Sequence, residues 1–240
     1  MIKKFGRTVS RRIVEALPPL VAARLDLVRP ALRSSWGGPL NGQRERQQIV
    51  RDLAKAIPIE HVVETGTFRG TSTEFFSAVF GAPIDTVEGN ARFYAYSVLR
   101  LCHLDNVNVV LGDSRAFLRM LDSGGTGGDK HAFIYLDAHW EEDLPLREEL
   151  EIISSGWNRA VVMVDDFEVP GDPGYKYDDY GPGKRLTTEY LPSMDGWSLY
   201  YPTSQASVET GARRGCAVLV APALREHVDS IRTLRRGTWN

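Results

Sequence analysis

VVETGTFRGTST, residues 62–73, runs two valines into an acid, a threonine and a glycine, then sets a second glycine four residues on, ahead of a helix-like run. The apolar pair with Glu64 and Thr65 reads as the end of a buried strand, and Gly66 as the turn that lets backbone approach a ligand closely. Gly70 opens the following helix, so the N–H groups of residues 70–73 point toward an anionic group. The dinucleotide fingerprint G-x-G-x-x-G does not fit, because positions 66, 68 and 71 hold Gly, Phe and Thr. The pattern is instead E-x-G-x-x-x-G.

Outward from this turn, strand and helix signals alternate. HVVET (61–65), PIDTVE (83–88), VNVVLGD (107–113), AFIYLDA (132–138) and AVVMVDD (160–166) are short, apolar and rich in Val and Ile. Helical stretches begin near Ser72, Ala91, Arg115 and Pro145, and another runs from about Gln43 to Ile57. Strands joined by crossover helices build a parallel sheet covered on both faces. After residue 191 the rhythm changes. WSLYYP (197–202) and RGCAVLVAP (214–222) are joined by a polar stretch without a helix, which predicts an antiparallel hairpin at the sheet edge. The expected fold is an α/β, Rossmann-like, doubly wound sheet of seven strands, mostly parallel, with an antiparallel C-terminal hairpin.

Ahead of this domain lies a different kind of segment. Residues 1–33 carry eight Lys or Arg against Glu15 and Asp26, and Ile13, Leu17, Leu20, Val21, Leu25 and Val28 recur at helical spacing. This predicts a basic amphipathic arm of two short helices divided at Pro18 and Pro19, with Pro19 suited to a first helical turn. The turn-rich SSWGGPLNGQ (34–43) hands over to the main domain, so the boundaries are 1–42 for the arm and 43–240 for the domain. The arm is expected to rest on its own domain or on a second subunit, which makes it the candidate contact for a homo-oligomer; a membrane surface or acidic partner is the alternative.

A net charge of −2 over 240 residues gives no overall attraction to nucleic acid. No apolar run approaches the ~20 residues of a membrane-spanning helix, and a cytoplasmic protein is expected. Cys102 and Cys216 belong to no C-x-x-C or Cys/His cluster and read as buried small hydrophobes.

The E-x-G-x-x-x-G turn, Glu88 at the end of the second strand, the GDS of residues 112–114 after the third, and the closing hairpin together resemble class I S-adenosylmethionine-dependent methyltransferases over about residues 60–222. The resemblance implies a cofactor site for S-adenosylmethionine made by Glu64, Gly66, Thr67, Gly70, Ser72, Glu88, Asp113 and Ser114. Glu88 would accept the ribose hydroxyls, and Asp113 would face the adenine edge.

The same resemblance bears on the adjacent carboxylates Asp165 and Asp166. In the family the fourth and fifth strands are neighbours, ~4.8 Å apart, so Asp137, Asp165 and Asp166 would converge. Uncompensated, they would raise at least one pKa strongly; a divalent cation, Mg²⁺ or Mn²⁺, removes that conflict. YLDAHW and VDD are most similar to the metal-dependent O-methyltransferases of the macrocin O-methyltransferase type, which implies Asp137, Asp165 and Asp166 as metal ligands and a small-molecule hydroxyl as substrate. His139 stands where some relatives have an acid. It is either a general base beside Asp137 or a residue that orients Asp137 or caps the next helix. The alternative for the pair is that Asp165 and Asp166 cap the following segment and Asp137 alone faces the ligand; many metal-independent methyltransferases keep one acid at the fourth strand.

Residues 167–190 hold four tyrosines, four glycines and three prolines, the make-up of a lid or substrate wall. Tyr175, Tyr177 and Tyr180 are candidates for ring stacking, Lys184 and Arg185 for an acidic group, and Trp36 and Trp140 for pocket walls. Three rival readings remain open: a metal-independent N- or protein methyltransferase, a non-catalytic S-adenosylmethionine-binding module, and a nicotinamide oxidoreductase.

Overall fold

The computed structural model describes residues 17–125, 128–139 and 143–239. The strands are β1 (His61–Thr65), β2 (Ile84–Glu88), β3 (Val107–Leu111), β4 (Ala132–Leu136), β5 (Ala160–Asp165), β6 (Ser198–Pro202), β7 (Cys216–Val220) and β8 (Leu234–Arg236). They form one sheet in the order β3-β2-β1-β4-β5-β7-β6-β8. β1 to β5 are mutually parallel, and β7 runs antiparallel to both β5 and β6. The second strand of the expected hairpin, not the first, thus docks on the parallel set.

The sheet has eight strands, not seven. β8 pairs antiparallel with β6 at the edge. It escapes notice in the sequence because it is three residues long and two of them are exposed arginines, a common way of blunting an edge strand.

The helices are α1 (Pro19–Leu27), α2 (Pro30–Arg33), α3 (Arg44–Ala56), α4 (Thr71–Phe80), α5 (Ala91–Leu101), α6 (Ser114–Ser123), α7 (Leu146–Gly156) and α8 (Arg225–Asp229). Alternation along β4 and β5 sorts two cores. Ile134, Leu136, Val162 and Val164 face α6 and α7 through Phe117, Leu118, Leu150 and Ile153. Phe133, Tyr135, Val161 and Met163 face α3, α4 and α8 through Ile49, Leu53, Phe76 and Val228. With both faces covered, neighbouring residues on a strand are buried on opposite sides, which is why these strands read as unbroken apolar runs. Burial of this kind contributes about 1.5–3 kcal/mol for each large side chain.

The described part of the arm departs from expectation in its facing. Ala22, Ala23 and Asp26 are the buried residues of α1, while Leu20, Val21, Leu25 and Val28 are exposed. The cause is Asp26, which accepts from Nε and Nη2 of Arg92 on α5 at 3.0 and 2.5 Å. The two alanines beside it let the helices come close. Pro19 sits in the first turn as expected. Ile13 and the rest of residues 1–16 lie outside the described residues. Among the described residues no helix is long and apolar enough to cross a membrane. Cys216 is buried, but Cys102 is exposed at the end of α5, where helix termination outweighs its apolar character.

Candidate active site

The residues expected to hold cofactor and metal lie at or just past the carboxyl ends of β1 to β5, or at the start of the helices that follow. In open α/β sheets this is the edge where ligands bind. The glycine turn is built as much by the protein's own backbone as for a ligand. Gly66 has φ of +88°, and a Cβ there would collide with the backbone carbonyl of Asp137. Its glycine therefore serves the meeting of two strand ends. Gly70, at φ of +69°, precedes Thr71, the first residue of α4, and presses against Leu101.

Several polar groups of the turn find partners inside the protein. Glu64 is buried, and its Oε2 accepts from the hydroxyls of Thr73 at 2.5 Å and Thr86 at 2.7 Å. Burial nevertheless pushes its carboxyl up to about 7, the two hydroxyls opposing the shift and Glu88 adding to it. Thr67 shares a hydrogen bond with Thr86 at 2.6 Å, and the Ser72 hydroxyl accepts from the Leu40 amide at 3.2 Å. Glu88 accepts from the amides of Phe68 (2.7 Å) and Asn90 (2.8 Å), which closes the turn over the end of β2; burial raises its pKa against those bonds. Asp113 caps α6 by accepting from the amides of Arg115 and Ala116, and the Arg115 side chain holds its pKa down. Ser114 is buried beside it.

Beside this turn, at the ends of β4 and β5, the two neighbouring aspartates have separate fates. Asp165 is sealed. Its Oδ1 meets the buried guanidinium of Arg46, and its Oδ2 accepts from the hydroxyl of Tyr135 at 2.6 Å and from the side-chain Nδ2 of Asn41 at 3.2 Å. Asp166 adopts a left-handed backbone, φ of +53°, a region that Asp tolerates better than most residues. That turn carries its side chain to the other side, toward His139 and Arg214. Nε of Arg214 donates to Asp166 Oδ1 at 2.6 Å, and Nη2 reaches Asp178 in the loop that follows β5. Burial works against ionisation of Asp166, but His139 and Arg214 outweigh it and hold the carboxyl down at about 2.

The group that the structure brings together is therefore Asp137, His139 and Asp166, each offering one ligand atom within 4.8 Å of the others. His139 Nε2 lies 3.9 Å from Asp137 Oδ1 and 3.9 Å from Asp166 Oδ2. Burial and the carboxylates of Asp165 and Asp166 push Asp137 well above the usual range. Asp165, expected in the same group, stands outside it. Arg46 and Asn41, which remove it, carry no motif. Arg46 does leave one trace in the sequence: with Ile49, Val50 and Leu53 it occupies the buried stripe of α3, an odd place for an arginine without a buried partner.

Three buried side-chain atoms near this edge have no hydrogen-bond partner among the described residues: His139 Nε2, Thr65 Oγ1 and Glu149 Oε1. Such atoms are costly unless water or a ligand completes them. Glu149, on α7, was not anticipated; burial raises its pKa, and Ser114, Thr65 and His139 face it.

No protein-family model matches the chain, and no curated relative does. Solved structures do. "Cofactor-bound Rv0187 from MTB" aligns with a TM-score of 0.55 at 20% identity, over 89% of this chain and 96% of that one. An O-methyltransferase from Bacillus cereus in complex with SAH gives 0.54 at 14% identity, over 89% and 97%. The O-methyltransferase TomG from Streptomyces achromogenes, solved with SAM, gives 0.52 at 18% identity, over 73% and 79%. The fold is the Rossmann-like α/β sheet that these structures share. Identities of this size speak to fold, and the chemistry rests on this chain's own residues.

Residues 167–190, which follow β5, are held by their backbone against the rim. The Asp178 amide donates to the Asp166 carbonyl at 2.9 Å and the Leu186 amide to the Asp178 carbonyl at 3.0 Å. Tyr175 is buried with its hydroxyl on Ser204, so it belongs to the core and not to a stacking surface. Tyr180 donates to Asp178 Oδ2 at 2.6 Å, and Arg185 pairs with Asp179 at 3.7 Å. Lys184 closes the turn that begins at Gly181. Tyr177 and Arg185 line a cleft of about 500 Å³ with Arg235 and Glu168, a cleft to which the Asp137 group does not contribute. Trp36 is 67% exposed, hence not core, and Trp140 lies outside the described residues.

Proposed function

We propose that the protein transfers the methyl group of S-adenosylmethionine to a hydroxyl of a small molecule, assisted by a divalent cation, with residues 43–240 as the catalytic domain and residues 1–42 as an arm beside it. One observation carries this reading. The glycine turn and Glu88 stand at the same sheet edge as the Asp137, His139 and Asp166 group, so a sulfonium donor and an acid-rich acceptor site would face each other. The neighbours of like fold that are named O-methyltransferases and were solved with SAM or SAH support it.

In this reading the turn from Gly66 to Gly70, Glu88, Asp113 and Ser114 hold the cofactor, with Glu88 toward the ribose. Glu64, Thr67 and Ser72 act from beneath, fixing the turn through Thr73, Thr86 and Leu40. A bound cation supplies Lewis acidity that lowers the proton affinity of an acceptor oxygen. The protein's own residues align acceptor oxygen, methyl and sulfur, and exclude water. In the absence of a bound ion, His139 and Asp137 would be the groups to take the hydroxyl proton. Products are the methyl ether, S-adenosylhomocysteine and one proton.

The test is transfer of labelled methyl from S-adenosylmethionine to panels of hydroxyl and amine acceptors, with and without a chelator. Transfer to hydroxyls that falls on chelation and returns on adding the cation is the expected result. Transfer unmoved by the chelator would favour a metal-independent enzyme, a reading with one observation behind it: Arg214 already neutralises Asp166.

A further inference from the structure

The ligand set that class I metal-dependent O-methyltransferases imply, Asp137 with Asp165 and Asp166, does not fit this chain. Asp165 is 1% exposed and both of its oxygens are taken, Oδ1 by the equally buried Arg46 and Oδ2 by Tyr135 and Asn41. Drawing it toward a cation would strip Arg46 of its partner, and an unpaired buried charge costs several kcal/mol.

We propose that the cation site is instead a two-carboxylate, one-imidazole site, formed by Asp137 Oδ1, Asp166 Oδ2 and His139 Nε2, and that it takes a first-row transition dication of the Mn²⁺ to Zn²⁺ group in preference to Mg²⁺. The proposal rests on the cofactor reading above for its role, but on separate observations for its existence.

The first is His139 itself. Its side chain is 4% exposed, and Nε2 has no hydrogen-bond partner among the described residues. This buried ring nitrogen is surrounded by three carboxylates and, among the described residues, is bonded to none of them. The distances are 3.9 Å to Asp137 Oδ1, 3.9 Å to Asp166 Oδ2 and 3.7 Å to Asp178 Oδ2, all too long for a hydrogen bond.

The second is the size of the triangle. Bonds of about 2.0–2.2 Å to a four- or six-coordinate ion set neighbouring donors roughly 3.0–3.5 Å apart. Sides of 3.9 Å and a limit of 4.8 Å need each donor to close in by about half an ångström. The third is the division of labour on Asp166: Arg214 occupies Oδ1 and leaves Oδ2 to the group. Asp178 Oδ2, held by Tyr180, lies 3.7 Å from the same Nε2 but is not part of the group of three.

The chemistry of the donor set decides the class of ion. Mg²⁺ favours oxygen donors and near-ideal octahedra, whereas imidazole suits Mn²⁺ through Zn²⁺. The two roles open to His139, ligand and general base, exclude each other while an ion is bound.

The experiment uses the chelator-stripped full-length protein without cofactor. Calorimetry with MnCl₂ and with MgCl₂ should show Mn²⁺ bound at one site, at least about tenfold more tightly than Mg²⁺. Electron spin echo envelope modulation on the Mn²⁺ form should show a coordinated imidazole ¹⁴N. His139→Gln should erase the nitrogen signal and weaken Mn²⁺ about tenfold or more. No Mn²⁺ binding, Mn²⁺ binding without nitrogen modulation, or Mg²⁺ as tight as Mn²⁺ would each overturn the proposal. Should His139→Gln not fold, the wild-type spectrum decides alone. Titration with S-adenosylhomocysteine in the absence of metal keeps the two readings apart: a nitrogen-bound ion with no cofactor binding would overturn the methyltransferase reading and leave the metal site standing.

Discussion

The two halves of the sheet's carboxyl edge treat their polar groups in opposite ways. On the β1, β2 and β3 side, Glu64, Thr67, Ser72, Glu88 and Asp113 all have partners within the protein, and Thr65 Oγ1 at the end of β1 is the exception among the described residues. On the β4 and β5 side, Asp165 is closed just as tightly, but His139 Nε2 beside it is left bare. A site of the first kind binds by presenting a preformed surface. A site of the second kind is incomplete without its ligand. Two adjacent aspartates fall on either side of that divide because Asp166 takes a left-handed backbone and Asp165 does not.

The most forceful way to break the comparison is to open the closed part. Arg46→Ala leaves Asp165 as an unpaired charge in the core and should cost about 3–5 kcal/mol in denaturant unfolding. The paired change Arg46→Met with Asp165→Asn should recover most of that loss. Recovery of neither stability nor fold would mean that the pair does more than neutralise itself.

Next in size is a pH effect from Glu64. Its ordinary value of 4.5 is raised to about 7 in the folded state. Between these values the native chain holds a proton that the unfolded chain has lost, so stability falls as pH rises through the window. The deficit is absent below pH 4.5 and complete above about pH 7, where it is on the order of 3 kcal/mol. Glu64→Gln should therefore gain stability over the wild type as pH rises from 5 to 8. Parallel curves for the two proteins would contradict the assignment.

Asp113 gives the smallest effect. Asp113→Ala removes the cap of α6 and should cost about 1 kcal/mol of stability. If Asp113 also meets the adenine, affinity for S-adenosylhomocysteine should fall as well; a purely structural cap would leave that affinity unchanged.

How far the sequence reaches follows from the same physics. The five parallel strands were legible because burial on both faces demands unbroken apolar runs, and Val161, Val162, Met163 and Val164 leave little room for another reading. The edge strand β8 was not, since Leu234 is its one buried residue. The facing of α1 was misread because spacing points to Leu20, Val21 and Leu25, whereas an ion pair from Asp26 to Arg92, 66 residues away, decides which side turns inward. In the site, Asp137, His139 and Asp166 stand in the sequence as two short motifs. The loss of Asp165 to Arg46 depends on a partner 119 residues away that no local pattern names.

We propose that the closed half of the rim is a preformed cofactor surface. Isothermal titration of S-adenosylhomocysteine into the full-length protein tests it most directly. One equivalent should bind to the wild type and to His139→Gln alike, and much more weakly to Glu88→Ala. A wild-type titration without heat of binding at several temperatures would contradict the account at its base.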